Sequence, residues 1–163
     1  MAQQEFLDIF KDEIHHYEIV DGIIKIDYPD YIEMSIDSLP DNIEFNNNGS
    51  IRFRNLKTIP NNIQFNNGGY VWLESLKVLP DGFHFDNNGS VFLDNVESSG
   101  KGVQFNNKEN VYLNSVKIIP DDIDFNNTGT LELSKNIISN RIIKINGIDP
   151  KRIFICIINK INR

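Results

Sequence analysis

Apolar and polar residues alternate in short runs that return every 20 residues between positions 39 and 138. In the third of these units, Phe83 and Phe85 flank a polar residue, and after a polar corner Val91 and Leu93 do the same. An alternation with a period of two indicates a β-strand that buries one face. Because a unit this short cannot cover that face alone, we expect successive units to stack into a solenoid.

Five such units follow one another without insertion or deletion, so that equivalent positions form columns. The phenylalanine column consists of Phe45, Phe65, Phe85, Phe105 and Phe125. The inward pairs predicted after the corner are Ile51/Phe53, Val71/Leu73, Val91/Leu93, Val111/Leu113 and Leu131/Leu133. We therefore predict a mainly β, single-domain, right-handed solenoid of five 20-residue turns with a parallel β-ribbon.

The corner between the two apolar runs is polar, and an asparagine recurs there in every unit. The asparagine column consists of Asn47, Asn67, Asn87, Asn107 and Asn127. We predict that these side chains form a ladder whose amides satisfy backbone groups of a neighbouring turn. The fourth unit departs from the others because Ser99-Gly100 replaces Leu-Pro and Glu109 replaces the corner glycine, which predicts a local kink or a looser turn between Val96 and Val103.

The segments that flank the repeats predict two caps, formed by residues 1–38 and by residues 139–163. The apolar residues predicted on one face of a short N-terminal helix are Phe6, Leu7, Phe10, Ile14 and Tyr17. Residues 23–26 and 31–36 predict strands that lead into the first unit. The C-terminal cap is predicted to be rich in β-structure and basic, with lysine and arginine side chains that discourage edge-to-edge pairing.

Residues 39–138 combine Leu-Pro, Asn-Asn-Gly and Val-x-Leu at fixed spacing, and this combination resembles the short leucine-rich-repeat-like solenoids of phage and bacterial genomes. The resemblance implies a non-enzymatic recognition scaffold whose partner differs from member to member. In the standard leucine-rich consensus an asparagine follows the strand, whereas the asparagine of this repeat precedes it.

Strand residues that point away from the core vary between units, because packing does not dictate them. The candidate partner-binding residues on these outward positions are Arg52, Arg54, Tyr70, Trp72, Glu74, Phe92, Asp94, Tyr112 and Glu132. Tryptophan, tyrosine and arginine are enriched at the hot spots of protein interfaces. The alternative is that the rings only stack across strands, which contributes about 0.5–1 kcal/mol per pair.

The charge is unevenly distributed along the chain. Residues 1–140 contain 10 basic and 22 acidic residues, whereas residues 141–163 contain six basic residues and one acidic residue. An acidic body attracts basic proteins and repels nucleic acid. We therefore expect a basic protein partner and no direct binding of nucleic acid, and we interpret the basic tail as protection of a sheet edge.

Residues that could carry catalysis do not converge in this sequence. It contains no phosphate-binding glycine loop, no Gly-x-Ser-x-Gly motif and no histidine or cysteine spacing typical of zinc. We expect no enzyme activity, no bound metal and no cofactor. The single cysteine, the acidic N-terminal segment and the lack of a long apolar stretch predict a cytoplasmic protein without a membrane span.

These expectations favour a protein-binding solenoid, namely an acidic inhibitor or adaptor that docks on a basic protein that handles nucleic acid. Because the repeat resembles phage proteins, an anti-defence inhibitor of the anti-CRISPR type is one form of this hypothesis. A second hypothesis is that carbohydrate or single-stranded nucleic acid stacks on the aromatic residues. A third is a structural scaffold subunit that extends through its end turns.

Overall fold

The structure is a computed structural model that describes residues 1–10, 16–120, 122–134 and 153–156. It is mainly β, with one short N-terminal helix and a solenoid whose turns correspond to the repeats, and the predicted architecture is therefore confirmed. Ile14 and most of the predicted C-terminal cap lie outside the described residues.

Helix α1 spans Gln3–Phe10, and the described strands form three sheets. The strands of sheet A are β1 (Tyr17–Val20), β2 (Ile23–Ile26), β4 (Ile43–Phe45), β6 (Ile63–Phe65), β9 (His84–Phe85), β12 (Gln104–Phe105) and β14 (Asp124–Phe125). The strands of sheet B are β3 (Ile32–Met34), β5 (Ile51–Phe53), β7 (Val71–Leu73), β10 (Val91–Phe92), β13 (Val111–Leu113), β15 (Leu131–Ser134) and β16 (Ile153–Cys156). Sheet C consists of β8 (Val78–Leu79) and β11 (Ser98–Ser99).

Successive turns of the solenoid are in register, because each strand pairs in parallel with its equivalent in the neighbouring turns. In sheet B, Val91 pairs with Val71 on one side and with Val111 on the other. In sheet A, Phe105 pairs with Phe85 in the same way. Equivalent residues of neighbouring turns therefore lie directly above one another, at the strand spacing of about 4.8 Å.

Each full turn contributes one strand to sheet A before the polar corner and one strand to sheet B after it. The sequence predicted a single ribbon. The second ribbon forms because the run that contains the phenylalanine column also pairs from turn to turn. A leucine-rich repeat has one strand followed by a helical or 3₁₀ return, whereas no described residue of the repeats is helical.

The inward faces of the two large sheets form one continuous core. All five predicted inward pairs of sheet B and the whole phenylalanine column are buried. Neighbouring rings of the phenylalanine column stack with centroids 5.1–6.0 Å apart and interplanar angles of 2–16°. The third side of the core is filled by Leu56, Leu76, Val96 and Val116, which are fully buried.

The solenoid begins one turn earlier than the repeat pattern indicates. Strand β2 pairs with β4 through Ile24 and Ile43, and β3 pairs with β5 through Ile32 and Ile51. In this first turn the paired residues are 19 positions apart instead of 20, so a search at a fixed period overlooks it. The solenoid therefore includes part of the segment that the sequence assigned to the N-terminal cap.

Helix α1 covers the open end of the core, as predicted, and buries Phe6, Leu7 and Phe10. The prediction that Tyr17 belongs to this helix is wrong. Tyr17 begins β1, which forms an antiparallel hairpin with β2 through a turn at Asp21 and Gly22. Both turn residues have positive φ angles, 52° and 78°, which an Asp-Gly pair accommodates in a tight hairpin.

The asparagine column is buried and bonds to the backbone of the preceding turn, which confirms the predicted ladder. Asn87 Nδ2 donates to the carbonyl oxygen of Gly69 at 3.0 Å, and Asn107 Nδ2 donates to that of Gly89 at 3.2 Å. The corner is also tight, since a Cβ atom on Gly89 would lie 2.7 Å from the carbonyl carbon of Gly69. In this turn close stacking depends on both the amide donor and the glycine, whereas Glu109 takes the equivalent position in the fourth unit.

Strand register continues through the fourth unit, where the sequence predicted a kink. Ser98 pairs with Val78 and Ser99 pairs with Leu79, both in parallel. The N–H group of Gly100 donates to the carbonyl oxygen of Leu79 at 2.8 Å. The prediction of a kink is therefore wrong, and the N–H group of Gly100 donates a hydrogen bond that the proline at this position of the other units cannot donate.

Candidate functional site

Trp72, Phe92 and Tyr112 lie on the neighbouring strands β7, β10 and β13 and face away from the core of sheet B. The residues on either side of each ring are buried, whereas the three rings are only partly buried. Strand alternation thus turns the rings outward, as predicted. We call these three residues the aromatic file.

The rings of the aromatic file stack face to face. The Trp72 and Phe92 centroids are 5.1 Å apart with an interplanar angle of 14°, and those of Phe92 and Tyr112 are 4.6 Å apart at 4°. Strand register causes this arrangement, since Phe92 pairs directly with both neighbours. Because each ring covers a face of the next, the file presents ring edges to the solvent, and these edges carry partial positive charge.

Tyr70 widens the aromatic surface at one flank of the file. Its side chain is 39% exposed, and its ring contacts Trp72 and Phe92 edge to face, at centroid distances of 5.3 and 6.0 Å. At the other end, Asn110 Nδ2 donates to the hydroxyl of Tyr112 at 3.2 Å and so fixes the tilt of that ring.

Ion pairs hold the two arginines at the N-terminal end of the file. Arg52 Nε donates to Glu74 Oε1 at 2.6 Å, and Arg54 pairs with Glu33. The hydroxyl of Tyr31 donates to the second oxygen of Glu33 at 2.7 Å. Every charged side chain of this group therefore has a partner of opposite charge within the chain.

These contacts shift the pKa values of the group in the directions that stabilise its charges. The hydrogen bond from Tyr31, together with Arg54, lowers the pKa of Glu33. Glu74, and to a smaller degree Tyr31, raises the pKa of Arg52. Burial and the Glu33 carboxylate raise the pKa of the Tyr31 hydroxyl, which keeps its proton available as a donor.

Asp94 and Glu132 carry negative charge at the C-terminal end of the file. Asp94 accepts a hydrogen bond from Asn114 Nδ2 at 2.8 Å. Partial desolvation and the nearby Glu132 raise the pKa of Asp94, although the bond from Asn114 opposes this shift. Within the part of the chain that the structure describes, neither carboxylate forms an ion pair.

Sequence reasoning missed Tyr31 and Glu33. Glu33 pairs in register with Arg52 and so extends the outward column by one turn. At the opposite end, Phe154 takes the register position next to Glu132. The signal for Glu33 is the Ile-Glu-Met run of β3, which matches the alternation of β5 at a spacing of 19 residues.

Other features of the described residues lie away from the file. Two shallow hollows of 420 and 650 Å³ lie over sheet A, the first beside Gln64 and His84 and the second beside His16 and Lys25. Within the described ranges, no group of three or more His, Cys, Asp or Glu residues is placed to hold a metal ion. In the same ranges, no helix has the length and apolar character needed to cross a bilayer.

Comparison with known proteins assigns no family to the chain. No protein-family model, no curated protein and no solved structure matches it. The resemblance to leucine-rich-repeat-like solenoids therefore stays a prediction. The β-solenoid fold rests on the strand pairing of the molecule itself.

Proposed function

We propose that this protein is a non-enzymatic binding module that recognises a protein partner through the aromatic file and Tyr70. The observation that carries the proposal is the presence of large outward rings in a column where the fold also accepts charged residues. In the same column, Arg52 lies in the turn next to Trp72 and Glu132 lies in the turn next to Tyr112. Core burial therefore does not account for these rings, and exposed aromatic surface of this kind is typical of protein interfaces.

The acidic character of the chain favours a basic partner. The net charge is −7, and Asp94 and Glu132 lie beside the file. An acidic surface steers a basic protein toward it and orients the encounter. We propose that the module acts as an inhibitor or adaptor of a protein whose basic surface otherwise holds nucleic acid.

Ring geometry weighs against carbohydrate or single-stranded nucleic acid as the ligand. Both ligands stack on exposed ring faces, whereas Phe92 is covered on one face by Trp72 and on the other by Tyr112. The carboxylates of Asp94 and Glu132 also repel phosphate groups. Titration with a labelled oligonucleotide and with a labelled glycan array should therefore give no saturable binding.

Capture of partners from the native host, followed by mass spectrometry, tests the proposal. The double variant Trp72→Ala/Phe92→Ala should lose the partner that the wild-type protein retains, while its thermal midpoint stays close to the wild-type value. A matched control is Gln64→Ala/His84→Ala, which truncates two exposed outward side chains on sheet A in the same two turns. This control should retain the partner.

Binding of the purified partner should also weaken as salt concentration rises, because the attraction is partly electrostatic. Equal capture by the wild-type protein and the Trp72→Ala/Phe92→Ala variant would contradict the proposal. If that variant does not fold, Trp72→Arg provides a second test. Arginine occupies the equivalent register position as Arg52, so the fold accommodates it there.

A further inference from the structure

The first and last segments of the chain carry opposite net charges. Residues 1–38 contain ten acidic and two basic residues, a net charge of −8, whereas residues 141–163 contain six basic residues and one acidic residue, a net charge of +5. Arg54 and Lys57 of the next turn pair with Glu33 and Asp37, and the first segment stays acidic when both cations are counted. Each segment therefore attracts the other segment of a second copy.

Strand order places the two segments at opposite ends of the solenoid. Sheet B begins with β3, which belongs to the acidic segment, and finishes with β16, which belongs to the basic segment. Six strand spacings separate these strands, which amounts to about 29 Å. The basic segment of a copy is thus anchored about 29 Å from its own acidic end, whereas in a head-to-tail pair it is anchored beside the acidic end of the neighbour.

The acidic end also exposes apolar side chains. Six of the nine large apolar side chains that are exposed in the described residues belong to this end, namely Met1, Ile9, Tyr17, Ile19, Val20 and Tyr31. Asp8, Glu18 and Asp21 adjoin them in the sequence and are exposed as well. A surface that combines exposed apolar groups with carboxylates suits a ligand that offers both apolar and basic side chains.

Strand β1 is the outermost strand of the described sheet A, and all four of its residues are exposed. The N–H group of Asp27 donates to the carbonyl oxygen of His16 at 3.0 Å, in register with the β1–β2 pairing. Because bonding alternates along an antiparallel pair, Tyr17 and Ile19 direct their backbone N–H and C=O groups to the outer edge. The strand contains no lysine or proline, with which edge strands commonly block an added strand.

Residues 141–163 match this edge in composition. They contain nine isoleucines, a residue type that favours extended backbone, and six basic residues. Ile153–Cys156 of this segment form β16. Lysine and arginine discourage pairing between two such segments, whereas they favour pairing with an acidic strand, because opposite charges on neighbouring strands attract one another.

We propose that the basic C-terminal segment of one copy adds a strand to the β1 edge of a second copy, so that molecules associate head to tail. Backbone hydrogen bonds to Tyr17 and Ile19 supply affinity, and the isoleucines and cations contact the exposed apolar and acidic side chains. The interface is heterologous, so each copy keeps one open end and the assembly lengthens with concentration. This inference is independent of the proposed function, because it uses neither Trp72 nor Phe92.

Sedimentation velocity of the full chain over a range of concentrations tests the assembly. At about 50 mM salt the average mass should rise with concentration to at least twice that of the monomer, and at about 500 mM salt it should fall back, because screening weakens the attraction. Ile19→Lys should abolish the rise, since it places a cation on the edge. The matched control Ile118→Lys adds the same charge at a side chain that is 57% exposed and should assemble like the wild-type chain.

Mixing two blocked variants tests the head-to-tail direction. Ile19→Lys keeps a normal C-terminal segment, and Lys160→Glu/Arg163→Glu keeps a normal β1 edge. Each variant should be monomeric alone, and an equimolar mixture should form dimers that do not grow further, because only one open edge meets one basic segment. If circular dichroism shows that Ile19→Lys does not fold, Asp8→Lys/Glu18→Lys takes its place, since it reverses the charge of two exposed side chains at the same end.

Three results would overturn the inference: a wild-type chain that stays monomeric at every concentration, equal loss of assembly in Ile118→Lys, or a mixture that contains no dimers. The first result would mean that the chain's own basic segment or a strand of a different protein occupies the β1 edge. Failure here is separable from failure of the proposed function. Trp72→Ala/Phe92→Ala should assemble like the wild-type chain, and Ile19→Lys should retain the protein partner of the aromatic file.

Discussion

Two columns of aromatic rings run along this solenoid, one inside sheet A and one outside sheet B. In the phenylalanine column, Phe85 and Phe105 stack at 5.2 Å and 5°, and in the aromatic file Phe92 and Tyr112 stack at 4.6 Å and 4°. The geometry is nearly the same because the same registry creates both. Stacking by itself therefore says nothing about function.

Burial and composition separate the two columns. The inner column is fully buried or nearly so and has the same residue in all five units, because every turn must fill the same space. The rings of the outer column are only partly buried, and the positions that flank them in the same column are Arg52 and Glu132. Core packing therefore requires the inner rings, whereas the outer positions accept other residue types without loss of the fold.

The largest expected effect on the free energy of unfolding comes from replacing one ring of each column by alanine. Phe85→Ala should lower the free energy of unfolding by about 3–5 kcal/mol, since it opens a cavity in a closely packed core. Phe92→Ala should cost about 1 kcal/mol, because it removes only partly exposed stacking contacts. Urea unfolding followed by circular dichroism measures both. Similar losses in the two variants would show that the file is part of the core.

A smaller effect is expected when a buried asparagine and an exposed asparagine are each replaced by alanine. Asn87 is buried and donates to the carbonyl oxygens of Gly69 and Gly89, so Asn87→Ala removes two buried hydrogen bonds and should cost about 1–3 kcal/mol. Asn66 is exposed and donates to Asn46 at 3.1 Å. Water replaces that bond, so Asn66→Ala should cost at most about 0.5 kcal/mol. Thermal unfolding of the two variants at equal concentration distinguishes these outcomes.

The smallest effect concerns the two ends of the aromatic file. Carboxyl ¹³C titration should give Glu33 a pKa below the ordinary glutamate value, owing to Tyr31 and Arg54, and Asp94 a pKa above the ordinary aspartate value, owing to desolvation and Glu132. Ionised Glu33 therefore stabilises the fold above its unfolded-state pKa, and this contribution is lost as the pH falls through the folded pKa. Asp94 has the opposite sign, because protonation favours the folded state as the pH falls.

At neutral pH, Glu33→Gln should thus slightly lower the thermal midpoint, and Asp94→Asn should leave it unchanged or slightly raise it. The expected difference between the two variants disappears well below pH 4, where both carboxyl groups are protonated in either state. Shifts of the same sign in both variants would contradict the opposite directions in which the pKa values of Glu33 and Asp94 are displaced.

The 20-residue period by itself determined the solenoid, the columns and the outward direction of Trp72, Phe92 and Tyr112. The reason is that an uninterrupted period fixes the register of every turn, and strand alternation then fixes which side chains face the core. The asparagine ladder was predictable on the same grounds, because its position in each turn is constant.

Only the tertiary structure decided how the outward surface is organised. It showed that ring faces cover one another, that Glu74 and Glu33 hold Arg52 and Arg54, and that Tyr31 joins this group. Periodicity carries no information on side-chain torsion angles or on contacts between residues outside the repeat. The first turn has a spacing of 19 residues and is out of phase with the others, and the β1 hairpin lies outside the repeat. The repeat pattern therefore predicts neither, and only the strand pairing of the folded chain shows them.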